Sequence, residues 1–237
     1  MKDDVKLLLR RAREAGVQAL DEPTGKELLA SAGINVPRSV VVDVGSDPRP
    51  AVARLRGPFV LKVVATGVVH KSDVGGVRLN LRDADEVAHA VDELDATLQR
   101  HGIEAQAWLV EEMAPRGVEV VVGGMMDAEF GPMVMVGLGG VFVEVLKDVA
   151  FRICPIDARD AREMIDELQG AALLRGARGS EPVAIDAIVQ VLLRLGGEGG
   201  LLFAGENELA EVDINPLIVS RDAAVAVDAR FILRQPE

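Results

Sequence analysis

The chain has 237 residues, 49% of them apolar, which is enough for one large core or two small ones and excludes a disordered polymer. A formal net charge of −12, with no Tyr and one Trp, excludes a general nucleic-acid binder, which needs a basic face and stacking rings. The single Cys154 excludes an internal disulfide or a cysteine metal cage. No apolar run reaches membrane-span length, and the first residues lack a signal-peptide core, so a cytoplasmic chain with no membrane partner is expected.

Taken in order, the first 20 residues suit a short charged helix and a linker. Thr24-x-x-Glu27 reads as a capping box opening a second helix, which Gly33 stops. Residues 40–42 form an apolar strand after Pro37, and Asp47-Pro48 opens a short helix. Gly57-Pro58 breaks it, and 59–64 read as a buried strand. A polar, Gly-bearing loop spans 65–75, and 77–81 alternate as a strand. Asp83 caps a long helix with Val87, Val91, Leu94 and Leu98 on one face, ended by Gly102. Beyond it strands crowd together at 107–112, 118–122, 133–136, 141–146 and 149–153, which is an antiparallel meander. Two helices follow, near 158–168 and 183–195, the second with Pro182 in its first turn. A hairpin of 209–214 with 217–219 comes last, closed by 223–227.

Four constellations can carry chemistry. Lys62 lies in an otherwise apolar strand, where an ammonium needs an anionic partner, phosphate being a candidate, or must snorkel to solvent. Thr66-Gly67-Val68-Val69-His70-Lys71-Ser72-Asp73-Val74-Gly75-Gly76 sets an imidazole, a cation, a hydroxyl and a carboxylate between glycines. Neutral imidazole is nucleophilic near pH 7, so His70 is a candidate phosphoryl carrier, or else an ordinary turn histidine. Glu111-Glu112-Met113 ends a strand and Glu119 enters the next; backbone there can meet an adenine edge and a carboxylate can accept from ribose, or these are simply solvated acids at strand ends. In Glu211-Val212-Asp213-Ile214-Asn215-Pro216, residues two apart share a face. Asp213 and Asn215, joined by Asp228 from a returning strand, offer hard oxygen donors suited to Mg²⁺, or simply a polar sheet face. Neither a Walker A pattern nor Gly-x-Gly-x-x-Gly occurs.

These segments, together with Phe130-Gly131-Pro132, Gly137-Leu138-Gly139-Gly140, Val143 to Asp148 and Asp213-Ile214-Asn215-Pro216, resemble the ATP-grasp superfamily. Within it they look like the β subunits of ADP-forming acetyl-CoA synthetases, relatives of succinyl-CoA synthetase. The resemblance runs from about residue 20 to 235. It implies an α/β (α+β) fold of two subdomains with ATP or ADP in the cleft between them. The N-terminal helix and linker would occupy 1–20. The first subdomain would span 21–105, with a mobile phosphohistidine loop at 65–76, and the second 106–237. It implies that Lys62 and Arg178 touch phosphate, that Glu111, Glu112 and Met113 form the adenine hinge, and that Glu119 accepts from ribose. Asp213, Asn215 and Asp228 would hold Mg²⁺, and His70 would carry phosphate. The family's CoA-binding domain is absent, so a separate CoA-binding α subunit is implied, commonly in an α2β2 assembly. A nucleotide-sensing module and a carboxylate–amine ligase are the alternatives.

Overall fold

The computed structural model describes residues 2–65, 74–140, 146–177 and 181–234. The chain divides into two compact units, Pro37–Ala114 and a larger one formed by Met1–Val36 with Pro115–Glu237.

Helix α1 (Lys2–Glu14) buries Val5 and Leu9, one turn apart, in the larger unit's core. Helix α2 (Glu22–Ser31) has its cap three residues before the Thr24 expected from the sequence. Asp21 is the N-cap, accepting from the Thr24 amide at 2.8 Å, with Pro23 in the first turn. Gly33, at φ +81°, ends it as expected. This segment packs on the last strand of the chain: the Leu20 amide donates to Phe231 O at 3.0 Å, and a Cβ on Gly25 would meet the Phe231 ring at 3.0 Å.

The smaller unit holds β1 (Ser39–Asp43), α3 (Arg49–Val52), β2 (Phe59–Val64), β3 (Val77–Leu81), α4 (Ala84–Arg100) and β4 (Ala107–Glu112). Its sheet runs β1-β4-β2-β3, antiparallel throughout. Leu61, Val63, Trp108 and Val110 pack with Val87, Ala90, Leu94 and Leu98 of α4. Asp83 caps that helix by accepting from the Glu86 amide, and Ala90 rather than Val91 completes its buried stripe. Asp47 lies one residue outside the cap position of α3, yet its carboxylate still accepts from the Arg49 amide. The sequence places 107–112 with the C-terminal part of the chain. In the structure β4 is paired on both sides, with β1 and β2, so it belongs to the sheet of residues 37–114.

In the larger unit follow β5 (Val118–Asp127), β6 (Gly131–Leu138), β7 (Val149–Ile153), α5 (Ala158–Glu167), α6 (Ala171–Leu174), α7 (Ile185–Gly196), α8 (Leu201–Ala204), β8 (Leu209–Val219), β9 (Ala224–Ala226) and β10 (Ala229–Leu233). The strand order is β10-β8-β5-β6-β7, with β9 beside β8. The strand expected at 141–146 falls largely outside the described residues, and residue 146 itself is not in a strand. The expected hairpin of 209–214 with 217–219 is instead one long strand, β8. Pro216 lacks an amide, so the ladder to β5 skips a residue between Val120 and Val122 and pairing resumes beyond it. The partners that return are β10, against the first half of β8, and β9, against the second. Pro182 precedes α7 rather than starting it, since Ala184 holds the cap position. One face of this sheet, including Val122, Val136, Val212 and Ile214, packs under Met164, Ile165, Ile188 and Leu192 from α5 and α7. The other face carries the polar groups described next.

Candidate nucleotide and cation sites

In the smaller unit, Lys62 has the anionic partner that its burial demands, and the partner is protein. Register sets Val60 opposite Glu111 and Lys62 opposite Leu109, so Lys62 and Glu111 are diagonal neighbours on one face. Lys62 Nζ lies 3.1 Å from Glu111 Oε2, with the two side chains only 9% and 2% exposed. The neighbouring Glu112 carboxylate accepts from the Arg56 amide at 3.0 Å and stands 3.3 Å from Arg38 Nη1. The amides of Glu112 and Met113 donate to Arg38 O and Pro58 O, each at 2.9 Å. Residues 111–113 therefore have their acids and two of their amides committed to the unit's own chain.

In the larger unit, Glu119 and the pair Gly139-Gly140 are brought together. The Gly139 amide donates to Glu119 O at 2.8 Å, and a Cβ built on Gly140 would stand 3.8 Å from Glu119 Oε2. A Cβ on Gly139 would sit 2.8 Å from that of Glu119, inside contact distance, so glycine here is a packing requirement of the exposed carboxylate's seat. Gly139→Ala is expected to lower stability by about 1–3 kcal/mol, read from denaturant unfolding. An unchanged midpoint would mean that β5 yields at no cost.

Asp213 and Asn215 leave β8 on one face, while Val212 and Ile214 are buried on the other. Asp228 stands beside them, since the Asn215 amide donates to Asp228 O at 3.3 Å and Ala229 of β10 pairs with Ile214. Asp213 holds its proton above the ordinary carboxylate range, through burial first, then the nearby Glu211 and Asp228 carboxylates; Arg230, opposite it on β10, works the other way. Glu211 was legible in the motif as the residue two before Asp213, but sequence reading assigned it no role. This excess of negative charge, with oxygen donors only, fits a hard divalent cation. Among the described residues no three His, Cys, Asp or Glu side chains cluster as a closed metal cage, so such a cation would complete its shell from water or ligand oxygens.

Two sequence candidates, His70 and Arg178, lie outside the described residues. Asp148, within the segment quoted for the resemblance, is buried and structural: its carboxylate accepts from the amides of Gln169 and Gly170 at 2.7 and 2.9 Å. Lys26 pairs inside α2 with Glu22 at 2.7 Å, both side chains buried.

The ATP-grasp domain family model matches residues 11–233. Subunit beta of acetate–CoA ligase (ADP-forming) I from Pyrococcus furiosus is 40% identical over 216 residues, covering 90% of this chain and 91% of that one. Acetate–CoA ligase (ADP-forming) I from Archaeoglobus fulgidus is also 40% identical, over 231 residues, but this chain spans only 32% of its length. A solved structure of acetyl-CoA synthetase 1 from Ca. Korarchaeum cryptofilum matches with a TM-score of 0.83 and 41% identity, over 97% of this chain and 100% of that one. It holds coenzyme A and Mg-AMPPCP, with its phosphohistidine segment pointing towards the nucleotide binding site. With a family model over nearly its whole length and a separate beta subunit matched almost end to end, the chain belongs to the ATP-grasp family, among the beta subunits of the ADP-forming acetate–CoA ligases.

Proposed function

We propose that this chain is the nucleotide-binding subunit of an ADP-forming acyl-CoA synthetase, which interconverts acyl-CoA, ADP and phosphate with the free acid, CoA and ATP. The observation that carries the reading is the oxygen cluster of Asp213, Asn215 and Asp228 on the open face of β8, where Asp213 is crowded by acids in the way that a bound cation relieves. Asp213, Asn215 and Asp228 would hold Mg²⁺, which when bound offsets charge on the nucleotide's phosphate oxygens. Lys62 serves the phosphates, the backbone of 111–113 meets the adenine edge, and Glu119 accepts from ribose. A ring nitrogen of His70 takes the terminal phosphoryl group: its bond to phosphorus forms as the bond to the β-phosphate oxygen breaks, and ADP leaves with that electron pair. Run in reverse, phosphohistidine returns the group to ADP. The CoA and acyl sites would lie on a separate α subunit, in an assembly of two copies of each.

Support for the relay comes from the sequence His70-Lys71-Ser72-Asp73-Val74-Gly75-Gly76 and from the phosphohistidine segment of the Korarchaeum relative. The test is a single turnover with ATP radiolabelled at its terminal phosphate. An acid-labile, base-stable label is expected on the wild-type chain and none on His70→Ala. An unlabelled wild type, or full labelling of His70→Ala, ends the relay.

A further inference from the structure

Two adjacent rows of side chains cross the outer face of the larger unit's sheet. In one, Asp213, Gly123, Met135 and Phe151 stand side by side on β8, β5, β6 and β7; in the other, Glu211, Met125, Met133 and Ile153 do so. The β8 end of both rows is acidic and belongs to the cation cluster. The β6–β7 end is apolar and bare. Met125 is 42%, Phe151 48% and Ile153 52% exposed, while Met133 and Met135 are partly so. Met135 also leans back over Gly123, where an added Cβ would meet its Cε at 3.2 Å. Among the described residues β7 pairs with β6 alone, so the patch lies on the last strands of the described sheet. Single exposed apolar residues need no explanation, but five neighbouring ones in two rows, without a charge among them, mark a surface meant to be covered. Methionines in such a patch repack readily against a partner.

We propose that this apolar half of the face is the docking surface for the CoA-binding partner subunit. The inference rests on the subunit reading given above. Three observations select that occupant. In the Archaeoglobus relative this fold makes up 32% of a longer chain, so roughly twice its own length of further polypeptide accompanies it there and has to pack somewhere. The patch continues the same rows that bear Asp213, and Met135 is two strands away from it, about 10 Å at ordinary strand spacing. A partner seated there is brought against the end of the face where phosphate would be handled. A second copy of this chain fits less well, because each copy carries a net charge of −12 and would bring its own Glu211 and Asp213 rows close to the other's.

The experiment mixes this chain with the CoA-binding subunit from the same organism and follows the complex by light scattering and titration calorimetry. The double variant Phe151→Glu/Ile153→Glu is expected to bind the subunit at least about 30-fold more weakly, the effect of losing one strong anchor. Phe151→Leu/Ile153→Val should bind as wild type does, and ATP affinity of each chain alone should stay unchanged. Undiminished binding by the Glu variant overturns the proposal, as does a wild-type homodimer that the Glu variant splits while partner binding persists. Should the Glu variant not fold, hydrogen exchange on the wild-type complex decides. Added protection of amides 149–153 on mixing supports the surface, and unchanged exchange there overturns it. A wild-type chain that forms no complex at all overturns the subunit reading itself, a result distinct from a complex that ignores the patch.

Discussion

Lys62→Met is expected to destabilise the unit of residues 37–114 by about 3–5 kcal/mol, one of the largest effects of any single substitution in the chain. Methionine fills nearly the same volume, so little of this is lost packing. The cost arises because Glu111, 2% exposed, would lose the Lys62 ammonium 3.1 Å away. The double variant Lys62→Met/Glu111→Leu should recover most of the loss, because a buried ion pair replaced as a whole by apolar side chains is close to neutral. Urea unfolding of the four chains of this cycle measures the coupling. A loss in the double variant equal to the sum of the two single losses would show that the pair is uncoupled and contributes nothing to the fold. Nucleotide binding separates the roles: the double variant, though stable, should still bind ATP poorly, since the cation is gone.

Asp213→Asn should weaken binding of Mg²⁺-nucleotide by about 100-fold or more, as expected when a charged oxygen is removed from a cation cluster. The same change should make the nucleotide-free and metal-free chain more stable at neutral pH. The sign follows from the titration of Asp213, whose carboxyl holds its proton above the ordinary value of 3.8 because of burial and the Glu211 and Asp228 charges. A group that binds its proton more tightly folded than unfolded loses stability for the protein as pH rises from the ordinary value through the raised one. Asparagine never makes that transition. The variant's advantage should therefore grow as pH climbs above about 4 and vanish below it. Thermal melts of both chains across that range test this, and a variant less stable than wild type at neutral pH would contradict it.

Much of the architecture was legible because its signals are local. β2, β3 and β7 have the bounds that their apolar runs and flanking glycines and prolines announce. Asp83 capping α4, and Asp213 with Asn215 opposite the buried Val212 and Ile214, follow from capping chemistry and the period of two in a strand. The illegible parts depend on register between distant segments. Nothing near Lys62 in sequence names Glu111 as its partner, because that depends on how β2 slides against β4. Glu112 looks like a free acid until β4 is laid beside Arg38 and Arg56. Asn215-Pro216 carries the usual punctuation of a turn, yet β9 and β10 pair on either side of it and hold β8 as one strand. The apolar rows on β6 and β7 are likewise invisible as a patch until their register sets Met135 beside Phe151.

The attachment of residues 18–20 to the last strand has a consequence for synthesis. Gln18 O accepts from the Leu233 amide, and the Leu20 amide donates to Phe231 O, so the segment that joins α1 to α2 is seated by β10. During translation α1 and α2 have no such seat until β10 has emerged. Residues 37–114, by contrast, possess every strand of their own sheet once Glu112 has emerged, and they are contiguous. Emergence from the ribosome therefore favours the small sheet as the first to close, with the large core completed only when β10 draws the beginning of the chain back to it.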